Sequence, residues 1–296
     1  MYNFEEITKK YNYDEQFSEF LYKVYKELVQ YYGNENIIYN AFLNTEIKNV
    51  NNIYEYLKEN DMLEENTLVS DRDLKKSSGA YTSKPIISQI NNKYEIVDTK
   101  RIILVKNFDI FNTNKKAILI HELCHMVKSY NNEHQIIDNL LISSSGIIER
   151  YYKLSEENGK VAKELIREKG VGLEEGLTSL AEEFITRKIV DKNYESLGYS
   201  SVQAQARMLM NYIHESIIKY SEMHHDKSIL YDEIENYSEI EDLTDIAYKL
   251  NIEMYDKAFN PKELEKIKNA ILSIMKEYKK IFNKERGKTR WKYTMN

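Results

Sequence analysis

Apolar positions at helical spacing open the chain. After Asp14, the residues Phe17, Phe20, Leu21, Val24, Tyr25 and Leu28 recur at intervals of three and four, which predicts a helix with one buried face; Gly33 supplies its stop. A second helix is predicted from about Ile38 to Leu63, with Ile47, Val50, Ile53, Tyr54 and Leu57 on one face. Between about Thr67 and Phe111 the pattern changes to short β-branched runs bounded by Ser, Gly, Thr and Pro85. Residues 85–90, 94–97 and 101–105 read as strands of a small, mostly antiparallel sheet, with Asn91-Asn92 as a hairpin turn. Helical texture returns near Asn114, and from Ala117 to Lys128 the chain is apolar on most sides, the mark of a buried helix. A second strand pair is predicted at 136–142 and 147–152, turned by Ser143-Ser144-Ser145-Gly146. The remainder reads as helices at about 174–190, 201–222, 240–258 and 262–284. The last has Asn260 as its cap, Pro261 in its first turn and an apolar stripe of Leu264, Ile267, Ile271, Ile274, Tyr278 and Ile281. The fold class expected is α+β and mainly helical, with no internal repeat and no low-complexity linker.

Length and charge narrow the function classes. A chain of 296 residues can bury a core without staples, and its single cysteine, Cys124, allows no intrachain disulfide. A formal net charge of −6 argues against a nucleic-acid partner, which would meet a basic face. No apolar run approaches the ~20 residues that span a bilayer, so no membrane partner is expected. The N-terminus, MYNFEEITKKYNYDEQF, lacks the basic and apolar regions of a signal peptide. A cytoplasmic location is therefore expected, non-standard secretion apart.

One segment carries chemistry: Ile120-His121-Glu122-Leu123-Cys124-His125-Met126, an H-E-x-x-H motif inside the predicted buried helix. Four residues are about 400° of helical rotation, so His121 and His125 lie on one face, one turn apart, with a bite that suits zinc. Glu122 projects beside them as a candidate general base. Three such groups in an apolar helix would be costly to bury without partners, and a metal is the simplest compensation. Cys124 reads as a small buried hydrophobe. A catalytic zinc needs a third protein ligand and an open position. The extended form H-E-x-x-H-x-x-G-x-x-H fails at Lys128 and Asn131, which leaves a downstream carboxylate in the segment Gly172-Leu173-Glu174-Glu175-Gly176-Leu177-Thr178-Ser179-Leu180-Ala181-Glu182.

The two blocks together resemble the gluzincin metallopeptidases, in which H-E-x-x-H is followed by a helix opening with (N/E)-E-G-x-T. The likeness covers about 20 residues. It implies His121, His125 and Glu175 as ligands of one Zn2+ per chain, with Glu122 as general base; Glu174 is the alternative third ligand. Many relatives carry an acidic residue four positions after the ligand Glu, where Ser179 stands here; Glu182, two turns along the same face, can orient a histidine instead. The family's further oxyanion donor is a Tyr or His, for which Tyr199 is the first candidate and Tyr212, His214, His224 and His225 the others. The resemblance implies a zincin-like, two-lobed catalytic domain. Residues 1–130 would form a lobe of helices, small sheet and motif helix, and 131–296 a mainly helical lobe carrying the third ligand. The strand Arg101–Val105 would be an edge strand that pairs with an extended substrate. The function expected is zinc-dependent hydrolysis of a peptide or protein substrate. The alternatives are a cytosolic zincin-like regulator acting on or binding one protein partner, and a non-catalytic helical interaction protein.

Overall fold

The computed structural model describes residues 2–63, 71–91, 93–157, 160–196 and 198–294. Helices α1 (Phe4–Tyr11), α2 (Glu15–Tyr32) and α3 (Glu35–Leu43) open the chain, each started by a side-chain cap: Asn3, Asp14 and Asn34 accept from backbone N–H groups of the first turns. The stripe predicted on α2 is buried from Phe20 to Leu28, and the helix stops at Gly33. The single helix expected over 38–63 is instead three elements: the end of α3, then β1 (Glu46–Val50), then α4 (Ile53–Glu59). Asn52 ends the run by capping α4. The apolar residues that looked like one face serve different cores: Ile47 packs with α2 and α3, whereas Ile53 and Leu57 belong to a separate cluster with Ile102 and Leu104.

After α5 (Asp71–Lys76), the strands β2 (Gly79–Ile90) and β3 (Lys93–Lys106) form a long antiparallel hairpin, and β1 pairs parallel to β3. The runs predicted at 94–97 and 101–105 are one continuous strand, and 85–90 is the outer half of another. Asn91 turns the hairpin at φ +51°; Asn92 lies outside the described residues. The sheet order is β1-β3-β2, so Arg101–Val105 is central rather than an edge, and Ile102 to Val105 are buried between two neighbours and two faces. The edge beside the motif helix is β2.

The motif helix, α6 (Thr113–Ser129), starts at the Asn112 cap and is buried over most of its length. A four-stranded antiparallel meander follows: β4 (His134–Ile137), β5 (Leu140–Ser145), β6 (Ile148–Glu157) and β7 (Lys160–Lys169), in that order across the sheet. The strand expected over 136–142 is broken by a turn at Asp138, φ +56°. Ser143 to Ser145 extend β5, so the turn before β6 is Gly146, at φ +57°. A Cβ there would fall 2.1 Å from a Glu174 carboxylate oxygen, so glycine is required twice over.

The rest is helical: α7 (Val171–Ile189), α8 (Ser200–Tyr212), α9 (Glu215–His224), α10 (Ser228–Glu233), α11 (Tyr237–Asp256) and α12 (Pro261–Thr294). The helix expected over 201–222 breaks at Ile213, in extended conformation, and His214 caps α9. Helix α7 lies against α6, α8 and α11. Gly176 allows that closeness, since a Cβ there would meet the Val202 carbonyl at 2.5 Å. One core cluster joins α1–α3, β3 and α6; a second joins α7, α8, α11 and α12. The fold is α+β and mainly helical. Among the described residues no helix is long and apolar enough to cross a membrane.

Candidate metal centre

Helix α6 places the rings of His121 and His125 4.9 Å apart, and α7 brings Glu175 against both. The two Nε2 atoms are 3.2 Å apart, Glu175 Oε2 is 3.3 Å from Nε2 of His121, and Glu175 Oε1 is 3.5 Å from Nε2 of His125. Among the described residues these three are the one group of His, Cys, Asp and Glu side chains close enough to share an ion. Tetrahedral zinc with bonds of 2.0–2.1 Å would separate its ligands by about 3.3–3.4 Å, so the triangle of donors has the size zinc needs.

The far side of each imidazole decides which atoms face inward. His121 Nδ1 lies 3.0 Å from Glu182 Oε2, and His125 Nδ1 lies 3.5 Å from both Glu174 Oε1 and Thr178 Oγ1. A carboxylate only accepts, so each Nδ1 carries a hydrogen, and with the imidazoles neutral each Nε2 turns a lone pair into the triangle. Glu182 is itself held by the Tyr194 hydroxyl at 2.6 Å and Ser196 at 3.3 Å. It does the work that Ser179, whose buried hydroxyl has no partner among the described residues, does not. Glu174 is fully buried, points behind His125 and accepts from the Ile147 N–H, so the structure brings Glu175 rather than Glu174 to the histidine pair.

Electrostatics agree. Burial works against charged imidazoles, yet Glu175 and Glu182 outweigh it and hold His121 well above its ordinary pKa; Glu175 and Glu174 do the same for His125. Burial also works against an ionised Glu175, but His125 and His121 hold its carboxyl well below the usual range. The triangle is a place that draws positive charge.

Glu122 sits beside the pair. Its Oε2 accepts the Tyr81 N–H of β2 at 2.7 Å, and burial pushes its carboxyl up against the pull of the two histidines. Tyr81 can spare that N–H because the ladder to β3 uses its neighbours: Lys106 N–H donates to Ser78 O, one position out of phase. A cavity of about 260 Å³ opens over the site, bounded by β2 from Gly79 to Ser83, by β4–β6, and by Tyr199 and Tyr248.

Tyr199 lines this cavity at the start of α8, its ring 4.9 Å from Tyr248. The other donor candidates lie elsewhere. Tyr212 packs on Phe282, His214 caps α9, His224 stacks on Tyr220, and His225 faces the carbonyls of Gly146 and Ser129. Cys124 is fully buried and burial pushes its thiol up, which leaves an inert hydrophobe. Two cavity residues were missed. Tyr248 arrives from α11, with no signal short of tertiary structure; burial and the nearby Glu175 charge keep its hydroxyl protonated. His134 follows Glu133 in a strand too short to stand out, and is held between Ser83 Oγ and Ser143 Oγ at 2.9 Å each.

Burial, with Arg101, Lys163 and Arg150 nearby, lowers the His134 pKa to about 3 from 6.5. The native state therefore rejects a proton that the unfolded chain accepts, and stability present above pH 6.5 is lost as pH falls towards 3. The slope is about 1.4 kcal/mol per pH unit, or roughly 2–3 kcal/mol by pH 4.5. Urea unfolding of the zinc-free chain across this range should show wild-type stability falling relative to His134→Asn by that slope as pH drops, a difference in which the opposing contribution of buried carboxyls such as Asp245 cancels; parallel curves would contradict the assignment.

No protein-family model, no curated protein and no solved structure matches this chain.

Proposed function

We propose that this protein is a zinc-dependent metallopeptidase of gluzincin type. The observation that carries the reading is the triangle of His121 Nε2, His125 Nε2 and Glu175, with edges of 3.2 to 3.5 Å and both histidines backed at Nδ1 by carboxylates. With both imidazoles neutral, three sets of lone pairs converge there, and a dication would take the place of the protons that the surrounding carboxylates otherwise hold on the rings. Zinc held by these residues would supply a Lewis acid that polarises a carbonyl and lowers the pKa of a bound water to about 7.

The chain's own residues divide the remaining work. Glu122 is the general base: the Tyr81 N–H fixes Oε2, which leaves Oε1 to take a proton, and its raised pKa makes it a better proton acceptor near neutrality. Gly79, Tyr81 and Ser83 turn their backbone groups away from β3; with the Tyr81 N–H given to Glu122 and the Gly79 carbonyl to the Ser77 hydroxyl, an extended peptide can add at the Tyr81 carbonyl and at Ser83. Tyr199 and Tyr248 border the cavity and offer hydroxyl donors to a developing oxyanion, the Tyr248 hydroxyl kept protonated by burial and the Glu175 charge. In this reading residues 1–130 and 131–296 act as two lobes of a zincin-like domain, the first presenting β2 and α6 and the second presenting Glu175 and the tyrosines.

The test is digestion of a defined peptide mixture by the zinc-loaded protein, read by mass spectrometry. Cleavage that stops with 1,10-phenanthroline and returns with added zinc is expected. Intact peptides in the presence of the zinc-bound protein would contradict the peptidase reading and favour the partner-binding alternative.

A further inference from the structure

Behind His125 lies a buried charge cluster of which the hydrolytic reading uses only the Glu174 carboxylate. Lys128, three residues after His125 on α6, is fully buried. Its Nζ donates to Thr178 Oγ1 at 2.6 Å and to Glu222 Oε1 at 2.9 Å, and pairs with Glu174 Oε1. Glu174 accepts from the Thr178 hydroxyl at 3.3 Å and from the Ile147 N–H at 3.0 Å, and its Oε1 is the carboxylate oxygen facing His125 Nδ1. Helix α9 closes the arrangement from outside the cavity. Its Glu222 grips Lys128, while His225, just past its end, lies 2.9 Å from Gly146 O and 3.3 Å from Ser129 O. These contacts tie α9 to the end of α6 and to the turn whose next N–H holds Glu174.

A fully buried ammonium and two buried carboxylates are costly unless each is held in place. Here the geometry holds one thing for the site: the carboxylate against His125. We infer that Lys128 is a positioning residue of the metal centre, which acts through Glu174 to fix the tautomer and ring orientation of His125, with Glu222 anchoring the lysine from α9. This rests on His125 being a zinc ligand. Partners that orient a ligating histidine are typically worth 10- to 100-fold in metal affinity.

The experiment is zinc affinity by competition with a chromophoric chelator, together with the melting temperature of the zinc-free chain. Lys128→Met alone strands two carboxylates and can fail to fold. The decisive variant is Lys128→Met with Glu222→Gln, which removes one charge of each sign; any change in affinity then reads position and not net charge. The expected result is a Kd for zinc raised about 10- to 100-fold in the pair, with Glu222→Gln alone within about threefold of wild type. A pair that binds zinc within threefold of wild type while the wild type binds tightly would overturn the inference and leave the metal site standing. A wild type that takes up no zinc would overturn both.

Discussion

Replacing Glu122 by glutamine keeps zinc in place and lowers kcat for peptide hydrolysis by about 10²- to 10⁴-fold, the usual contribution of a positioned general base. The separation of the two effects follows from the geometry. Glu122 points to β2, where Tyr81 N–H donates to Oε2, and it forms no edge of the His121–His125–Glu175 triangle. A glutamine keeps the shape and can still accept the Tyr81 N–H, so the fold and the metal are retained, but it cannot take a proton. Turnover within tenfold of wild type, with zinc bound, would remove Glu122 as the base.

Replacing Glu175 by alanine raises the Kd for zinc by more than about a hundredfold, beyond the range for residues that only orient ligands. Its oxygens supply two of the three edges of the donor triangle, at 3.3 and 3.5 Å, and its carboxylate is the main negative charge facing the two Nε2 atoms. Without it, two imidazoles would have to hold the ion with solvent. Glu174 cannot substitute, because its carboxylate is committed to Lys128, Thr178 and the Ile147 N–H on the far side of His125. Competition titration of the purified variant checks this, and an unchanged Kd would move the third ligand elsewhere.

The candidate site was legible where chemistry depends on helical period. His121 and His125 are four residues apart on one helix, so their convergence needs no tertiary information, and Glu182, seven after Glu175, falls on the same face two turns on. Which of Glu174 and Glu175 turns to the histidines depends on how α7 is rotated against α6, and spacing alone does not set that rotation. Lys128 had no sequence signal at all: a lysine on a helix reads as solvated, and only Glu174 and Glu222, brought from two other helices, make its burial tolerable. His134 and Tyr248 reach the cavity from elements that the chain joins only in three dimensions.

For the fold, strand order was the hidden quantity. β1 reads as helix because Ile47, Val50 and Ile53 happen to fall at three-residue intervals, and its parallel pairing with β3 is non-local. That pairing makes β3 central and passes the open edge to β2. β7 is not legible because Lys163 falls between its packed positions Val161 and Leu165, and the register shift in its pairing with β6 is accompanied by an exposed Ile166.

Whether His121, His125 and Glu175 hold zinc is decided by elemental mass spectrometry of protein purified without added metal. The expected result is about one zinc per chain, removable by chelator without loss of the fold, since a core of this size does not depend on the ion. Protein that carries no metal, and takes up none when incubated with zinc, would contradict it.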